Sequence, residues 1–209
     1  MKGEARWIST LPPNWVAGCG EALFTAARES YAGPGRHYHT WTHVLDCVAK
    51  LRDFTCDSPR AVFLALVFHD AVYVAGRQDN EERSAELAKT LIAAHATLPT
   101  DEIDAIERHI LATRSHAPPP DAGRDLCVTV DIDMSILAAP APQYDEYAAN
   151  VRREWCPAVV NEDSFATGRA AFLRSVLASE AIFHTPEGLQ RWEALARANV
   201  SREISLLQH

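Results

Sequence analysis

The chain has 209 residues, of which 47% are apolar, and a formal net charge of -8. This composition is typical of a globular domain with a substantial core, and it argues against intrinsic disorder. The acidic balance, without a run of Lys or Arg, disfavours nucleic acid as a partner, although a bound metal ion would still admit a small phosphorylated substrate.

Targeting features point to a cytoplasmic protein. The N-terminal stretch lacks an apolar core of signal-peptide length, and the longest apolar run is far too short to span a membrane. The five cysteines include no CxxC pair. We therefore expect reduced thiols, no membrane partner and a reducing compartment.

The first strong elements along the chain have a helical period. In the segment 43–54, Val44, Val48 and Leu51 recur at a spacing that places them on one helix face. Further on, Asp79 is followed three residues later by Glu82, a pattern that predicts a capping box at the start of the next helix.

Four further stretches carry the same period. The last should begin at Thr185 as N-cap, with Pro186 in its first turn, and should turn Leu189, Trp192 and Ala196 inward. The apolar residues that mark the other three are Ile103, Ile106 and Ile110; Tyr144, Tyr147, Val151 and Trp155; and Phe165, Phe172 and Val176.

The segment CVTVDID, residues 127–133, is the exception to this period. It alternates apolar and polar residues, which by period alone predicts a strand. Because no second strand is evident to pair with it, we interpret the segment as the entry to a helix that continues through residues 134–139. The sequence therefore predicts one all-α domain of about seven to nine helices.

The pair His69 and Asp70 stands between the apolar runs 61–68 and 71–73. Burying an unpaired carboxylate costs several kcal/mol. The pair either caps a helix end or is neutralised by a cation. His43 and the aspartates of VDIDMSIL (130–137) supply further donors. Two imidazoles and two carboxylates suit one divalent ion, such as manganese, iron, cobalt or magnesium, and the lack of thiolates beside them argues against structural zinc.

Taken in order, these segments resemble the HD superfamily of metal-dependent phosphohydrolases, and in particular a branch of predicted single-domain members. The resemblance rests on RHYHTWTHV, FHDAVY, DNEERSAELA, VDIDMSIL, GRAAFL and ALARANVSREI, and it extends over residues 36–203. It implies a single HD-type helical bundle over residues 1–209. An N-terminal segment (1–20) would pack on a motif core at about 36–140, followed by C-terminal helices at about 143–207.

The resemblance also implies the metal ligands. His43 matches the family's first histidine, His69 and Asp70 are the defining pair, and Asp133 is the preferred last aspartate, with Asp131 as the alternative. Asp70 would in addition position the attacking water.

Other polar residues near these segments are candidates for catalysis or substrate binding. Glu81 and Glu82 are either first-turn acids favoured by the helix dipole or groups that orient water and transfer a proton. Tyr38 and Tyr73 are either pocket walls or core residues. The side chains expected to contact a phosphorylated substrate are Arg36, His39, His109, Arg114 and His116.

The implied function is hydrolysis of a phosphoester or phosphoanhydride of a small metabolite, with a nucleotide as the expected substrate. One alternative is an HD-type di-iron oxygenase, which requires His109 and His116 as ligands, although Thr113 stands where a second such histidine is expected. The other is a catalytically silent module that binds a nucleotide or a protein partner. The sequence gives no indication of the oligomeric state.

Overall fold

Ten α-helices and two short 3-10 helices make up the regular structure of residues 7–208, the part of the chain that the computed structural model describes. The 3-10 helices are Ile8–Thr10 and Ser135–Ala138. The all-α prediction is confirmed, and the count exceeds seven to nine partly because one helix has four residues. The α-helices are α1 (Pro13–Val16), α2 (Glu21–Ser30), α3 (Trp41–Leu51), α4 (Pro59–Phe68), α5 (Asn80–His95), α6 (Thr100–Ala112), α7 (Arg124–Met134), α8 (Ala141–Trp155), α9 (Glu162–Ala178) and α10 (Pro186–Leu206).

Helix α4 is the centre of the N-terminal half of the fold. All residues from 61 to 68 are fully buried. A helix that is apolar on every side is stable only when neighbours cover each face, and α4 packs against α1, α3, α5, α6 and α7. Because α4 ends in this core, the turn that contains His69 and Asp70 starts from a rigid and buried position.

Helix α7 lies between two hydrophobic clusters, which explains its misleading alternation. Val128 and Ile132, four residues apart, face the cluster around α4. Val130 and Met134, also four residues apart, face the cluster formed with α8, α9 and α10. A helix buried on two opposite sides carries apolar residues at i and i+2, so its sequence imitates a strand. The helical interpretation of residues 127–133 is confirmed, but α7 ends at Met134 and the predicted continuation is a 3-10 helix over Ser135–Ala138.

Of the two helix starts predicted from capping residues, one is confirmed and one is wrong. Thr185 caps α10, and its side-chain oxygen accepts a hydrogen bond from the amide of Gly188, as predicted. Asp79 precedes α5, but its side chain makes no capping hydrogen bond. Both of its carboxylate oxygens accept from Arg77 at 2.7 Å. The predicted capping box is therefore wrong, because the bidentate ion pair occupies the oxygens that a cap would use.

Leu189, predicted to turn inward, and Phe172, one of the apolar residues that marked a predicted helix, are both exposed. Leu189 and Phe172 are each about 40% accessible, whereas Ala196 and Val176 on the same helices are buried. Phe172 is exposed because it forms part of a cavity wall.

The start of the chain packs on the α4 core where it is described. Trp7 contacts Phe24 and Trp41 edge to face, and Trp15 stacks on Phe63 with ring centroids 5.7 Å apart. Residues 1–6 of the predicted N-terminal segment, and residue 209, lie outside the described residues. None of the helices formed by residues 7–208 is long and apolar enough to cross a membrane.

Candidate metal centre

Three helices bring the predicted ligands together. His43 lies in the first turn of α3, His69 and Asp70 follow the last residue of α4, and Asp133 lies in the last turn of α7. These three helices pack directly against one another. The four side chains, which come from segments up to 90 residues apart, therefore meet at one buried point.

The facing donor atoms of this cluster lie close to one another. The Nε2 atoms of His43 and His69 are 3.1 Å apart. Asp133 Oδ1 lies 3.2 Å from His43 Nε2 and 3.3 Å from His69 Nε2, and Asp70 Oδ2 lies 3.0 Å from His69 Nε2 and 3.7 Å from His43 Nε2. Donor atoms bound to one ion at ~2.0–2.1 Å lie roughly 2.9–3.4 Å apart for bond angles of ~90–110°. The spacing therefore fits a shared cation.

Hydrogen bonds on the outer sides of the imidazoles set their orientation. His69 Nδ1 lies 3.0 Å from the carbonyl oxygen of Leu66. A carbonyl only accepts, so this nitrogen carries the proton and Nε2 turns toward the cluster. His43 Nδ1 lies 3.0 Å from the Tyr38 hydroxyl, which holds that ring in the corresponding way. Such outer contacts are typical of metal-binding histidines.

The charge of the cluster also calls for a cation. Burial by itself lowers the pKa of His69, but Asp70 and Asp133 raise it well above its ordinary value. The pKa values of Asp70 and Asp133 are lowered by the nearby histidines, although burial opposes this effect. Two partly buried carboxylates facing two imidazole nitrogens are stabilised by positive charge placed among them, and a divalent ion supplies that charge at a single point. These groups could hold a metal ion.

A buried thiol lies beside this cluster, where the sequence analysis expected no thiolate. Cys47 is buried one turn after His43 on α3, with its Sγ 3.7 Å from His43 Nδ1, and it forms a possible ligand group with His43 and Asp133. The i, i+4 spacing of the two residues is the signal that could have revealed it. Burial raises the pKa of the Cys47 thiol well above its usual value, which favours the neutral thiol over a thiolate ligand.

The structure separates the two candidate aspartates of α7. Asp133 joins the cluster, whereas Asp131 faces the start of α10. Asp131 accepts hydrogen bonds from the amides of His184 and Thr185, both at 2.8 Å, and from the Thr185 hydroxyl at 2.6 Å. The two side chains, two positions apart, point to different sides of the helix. Asp131 therefore anchors α10 onto α7.

Two further histidines border the cluster. His116 Nε2 lies 3.1 Å from Asp133 Oδ2, on the carboxylate oxygen that does not face His43. Its backbone has a positive φ of 51°, which is uncommon for a residue other than glycine. His39 stacks on Tyr73 with ring centroids 3.8 Å apart. Both histidines line the cavity described below.

Glu154, in the last turn of α8, is a buried carboxylate that the sequence analysis missed. Its Oε1 accepts hydrogen bonds from the backbone amides of His37, Tyr38 and His39 at 2.7, 2.7 and 3.0 Å, and its Oε2 lies 2.6 Å from His39 Nδ1. Its place seven residues after Tyr147, on the predicted apolar stripe, is the signal that could have found it. Glu154 thus fixes both the 37–39 loop and the His39 ring.

Arg36, predicted to bind a phosphorylated substrate, instead donates its hydrogen bonds to backbone carbonyl groups. Its Nη1 donates to the carbonyl oxygens of His39 at 2.7 Å and Asp70 at 2.8 Å, and its Nη2 donates to that of Ala71 at 2.9 Å. The guanidinium does not line the cavity. Arg36 therefore ties the turn that carries Asp70 to the loop that carries His39.

The other predicted catalytic or substrate-binding residues lie away from the cluster. Glu82 and Arg114 form an ion pair with each other, and both side chains are about half exposed. Glu81 is half-buried in the first turn of α5. His109 is buried in α6, its Nδ1 has no hydrogen-bond partner, and burial lowers its pKa to about 4. None of these four side chains lines the cavity at the cluster.

A cavity of about 580 Å³ opens onto the cluster through Asp133. Tyr38, Tyr73 and Tyr147 form part of its wall, together with His39 and His116. Much of the remaining wall comes from the segment 134–137 and from α8 and α9. The volume is in the range of small-molecule sites in proteins.

Comparison of the chain with protein-family models, with curated proteins and with solved structures gave no match.

Proposed function

We propose that the protein is a metal-dependent phosphohydrolase that uses a single divalent ion. The observation that carries this proposal is the convergence of two imidazole nitrogens and two carboxylate oxygens, 3.0–3.7 Å apart, beside a cavity that Asp133 lines. Nitrogen and carboxylate donors in equal number suit manganese, iron, cobalt or magnesium. The order of these residues in the chain also resembles that of the HD superfamily.

The ligands would be His43, His69, Asp70 and Asp133. A divalent ion held there supplies Lewis acidity, which lowers the pKa of water and offsets charge that develops on phosphoryl oxygens. Asp70, whose side chain is 15% exposed, would accept a proton from the attacking water. Arg36 holds the Asp70 backbone in place, so it acts as a positioning residue.

His39 is the best-placed proton donor for the leaving group. It lines the cavity, and Glu154 holds its Nδ1. Burial opposes protonation of the ring, but Asp70 and Glu154 raise the pKa of His39 above its ordinary value. The raised pKa favours the imidazolium, which can give up a proton as general acid catalysis requires.

The reaction balances as a hydrolysis. The oxygen of water forms a bond to phosphorus, and the phosphorus–oxygen bond to the leaving group breaks. One proton of water passes to Asp70, and the leaving oxygen receives a proton from His39. Inorganic phosphate and an alcohol are released, and proton exchange with solvent restores both residues.

The arrangement supports one ion rather than the two that an oxygenase would need. Of the two histidines required for a second iron, His116 contacts Asp133, but His109 belongs to neither group of residues that could hold a metal ion. Thr113, which stands where the family pattern has a further histidine, also favours a single ion.

The decisive experiment combines metal analysis with a hydrolysis assay. Untagged protein purified without chelator is analysed by elemental mass spectrometry beside the His69→Ala/Asp70→Ala variant. His37→Ala is the matched control, because His37 is exposed and outside the cluster. We expect about one divalent ion per chain, lost only in the double variant, and release of phosphate from a panel of phosphoesters.

Three results would contradict the proposal. Absence of bound metal after incubation with manganese would remove its basis. Two irons per chain would favour the oxygenase. Bound metal without release of phosphate from any member of the panel would leave a metal-binding module that lacks phosphohydrolase activity.

A further inference from the structure

The cavity at the cluster is uneven in its chemistry. Side chains that bind metal or exchange protons, namely Asp133, His39 and His116, form one part of its lining. Most of the rest is aliphatic or aromatic, including Ile136, Leu137, Val151, Trp155, Phe165 and Phe172. A ligand that fills this cavity must therefore combine a group for the polar part with a larger apolar portion.

Helix α9 contributes one continuous face to the cavity. Ser164, Phe165, Gly168, Arg169 and Phe172 all line it, and their spacing places them on one side of the helix. Phe172 is 39% exposed. An exposed aromatic residue on a helix face that borders a cavity is the arrangement expected where an apolar ligand completes the packing.

Among the described residues, Arg169 is the only Lys or Arg that lines the cavity. The carboxylate of Glu203 already balances its charge. Its Nε and Nη2 donate to the carboxylate of Glu203 at 2.9 and 3.2 Å, and the pair is buried. The guanidinium also lies 5.1 Å from the centre of the Tyr147 ring. Nucleoside di- and triphosphates carry several negative charges beyond the reacting phosphoryl group, and such charges need unpaired Arg or Lys nearby.

We infer that the substrate is a phosphate monoester of a bulky apolar alcohol or phenol, with one phosphoryl group and no further charge. This inference rests on the proposed function and specifies its substrate. The phosphoryl group would lie at the cluster, and the organic group would lie against α8, α9 and the segment 134–137. This class differs from the nucleotide expected from the family resemblance, because the wall offers apolar surface where a nucleotide presents sugar hydroxyls and additional phosphates.

The first arm of the test measures kcat/KM of the manganese-loaded protein for ethyl, butyl and hexyl phosphate, with AMP and ATP as comparators. Burial of each methylene should raise kcat/KM about fourfold, so hexyl phosphate should exceed ethyl phosphate on the order of 100-fold. Both nucleotides should be poorer substrates than hexyl phosphate.

The second arm measures binding without turnover. Ethyl- and hexylphosphonate, which cannot be hydrolysed at the carbon–phosphorus bond, are titrated into the same protein by calorimetry. We expect the hexyl compound to bind more tightly by a factor on the order of 100, with a negative heat-capacity change that reports apolar burial.

Gly168 offers a substitution that tests the location of the apolar group. A Cβ added at Gly168 meets no atom within 4 Å, so Gly168→Leu fills cavity space without displacing protein atoms at that point. It should lower the hexyl-to-ethyl ratio at least tenfold in both arms. Ala171→Leu is the matched control, since Ala171 is exposed on the same helix and does not line the cavity. Gly168→Ala, which favours the helix, gives a smaller change of the same sign should the leucine variant not fold.

The outcomes separate this inference from the proposed function. A steep rise with chain length that Gly168→Leu reduces and Ala171→Leu preserves supports both. Hydrolysis that favours ATP or AMP, or that is equal for all alkyl esters, overturns the substrate inference and leaves the phosphohydrolase. Chain-length-dependent phosphonate binding without any hydrolysis supports the ligand class and overturns the reaction. Absence of both overturns both.

Discussion

Replacing Glu154 by glutamine tests how the site is held together. The carboxylate is buried, with 4% of the residue exposed. It accepts hydrogen bonds from three successive backbone amides and lies 2.6 Å from His39 Nδ1. Glutamine keeps the size and one acceptor oxygen but removes the charge. The change therefore isolates the electrostatic part of the contact.

The pKa of Glu154 gives the size of the expected effect. Burial raises this pKa, but His39 and the backbone amides outweigh burial and lower it from 4.5 to about 2. That difference corresponds to about 3 kcal/mol of folding free energy. Because the pKa is lower in the folded state, the contribution is fully present above pH 4.5 and is lost as the pH falls toward 2.

Urea denaturation of wild type and Glu154→Gln at pH 7 and pH 3 measures this contribution. We expect the variant to unfold with about 3 kcal/mol less free energy at pH 7, and the difference to fall by about half at pH 3. Glu146→Gln, at an exposed position of the same helix, is the matched control and should match wild type.

The same variant has a kinetic consequence. Without the carboxylate, the pKa of His39 falls. As the pH is raised, the activity that depends on protonated His39 should therefore be lost at a lower pH in the variant than in wild type. Equal stability of wild type and Glu154→Gln at pH 7, to within about 0.5 kcal/mol, would refute the argument that the charge of Glu154 stabilises the fold.

Three further predictions follow from other parts of the structure. Manganese at one hundred times its Kd should raise the Tm of the protein by ~6 °C in a thermal-shift assay, and should leave the His69→Ala/Asp70→Ala variant unchanged. Asp131→Ala should lower the free energy of unfolding in urea by ~2–4 kcal/mol but retain metal, because three donors, two of them buried, lose their acceptor, whereas Asp133→Asn should lose metal and remain folded. His109→Leu should remove acid sensitivity: burial lowers the pKa of His109 to about 4, so wild type should lose up to ~3 kcal/mol between pH 6.5 and pH 4, and the variant should lack this slope in urea denaturation.

Each of these predictions has an opposing result. A manganese-dependent rise in Tm that persists in the double variant would move the metal elsewhere. Loss of metal in Asp131→Ala with retention in Asp133→Asn would exchange the roles of the two aspartates. An acid transition in His109→Leu that matches wild type would assign the sensitivity to other groups.

The sequence by itself determined the helical class and the ligand candidates. The spacing of Val44, Val48 and Leu51 is a local property that predicts a helix. The apolar run before His69 likewise indicates that His69 and Asp70 follow a buried helix. Local patterns suffice there because helix hydrogen bonds join residues four apart. For α7 the alternation of apolar and polar residues by itself favoured a strand. The sequence does not reveal that two separate hydrophobic clusters cover opposite sides of one helix.

The tertiary structure decided which side chains share the site. Glu154 reaches His39 across 115 residues, Asp133 rather than Asp131 meets His43, and α9 supplies an apolar wall that no motif announced. Arg36, expected at a phosphate, is bound by three backbone carbonyls instead. The physical reason is that these contacts depend on the angles at which helices pack and on the rotation of each helix about its axis. Both depend on the whole core, so a residue's neighbours in the chain do not specify its neighbours in space.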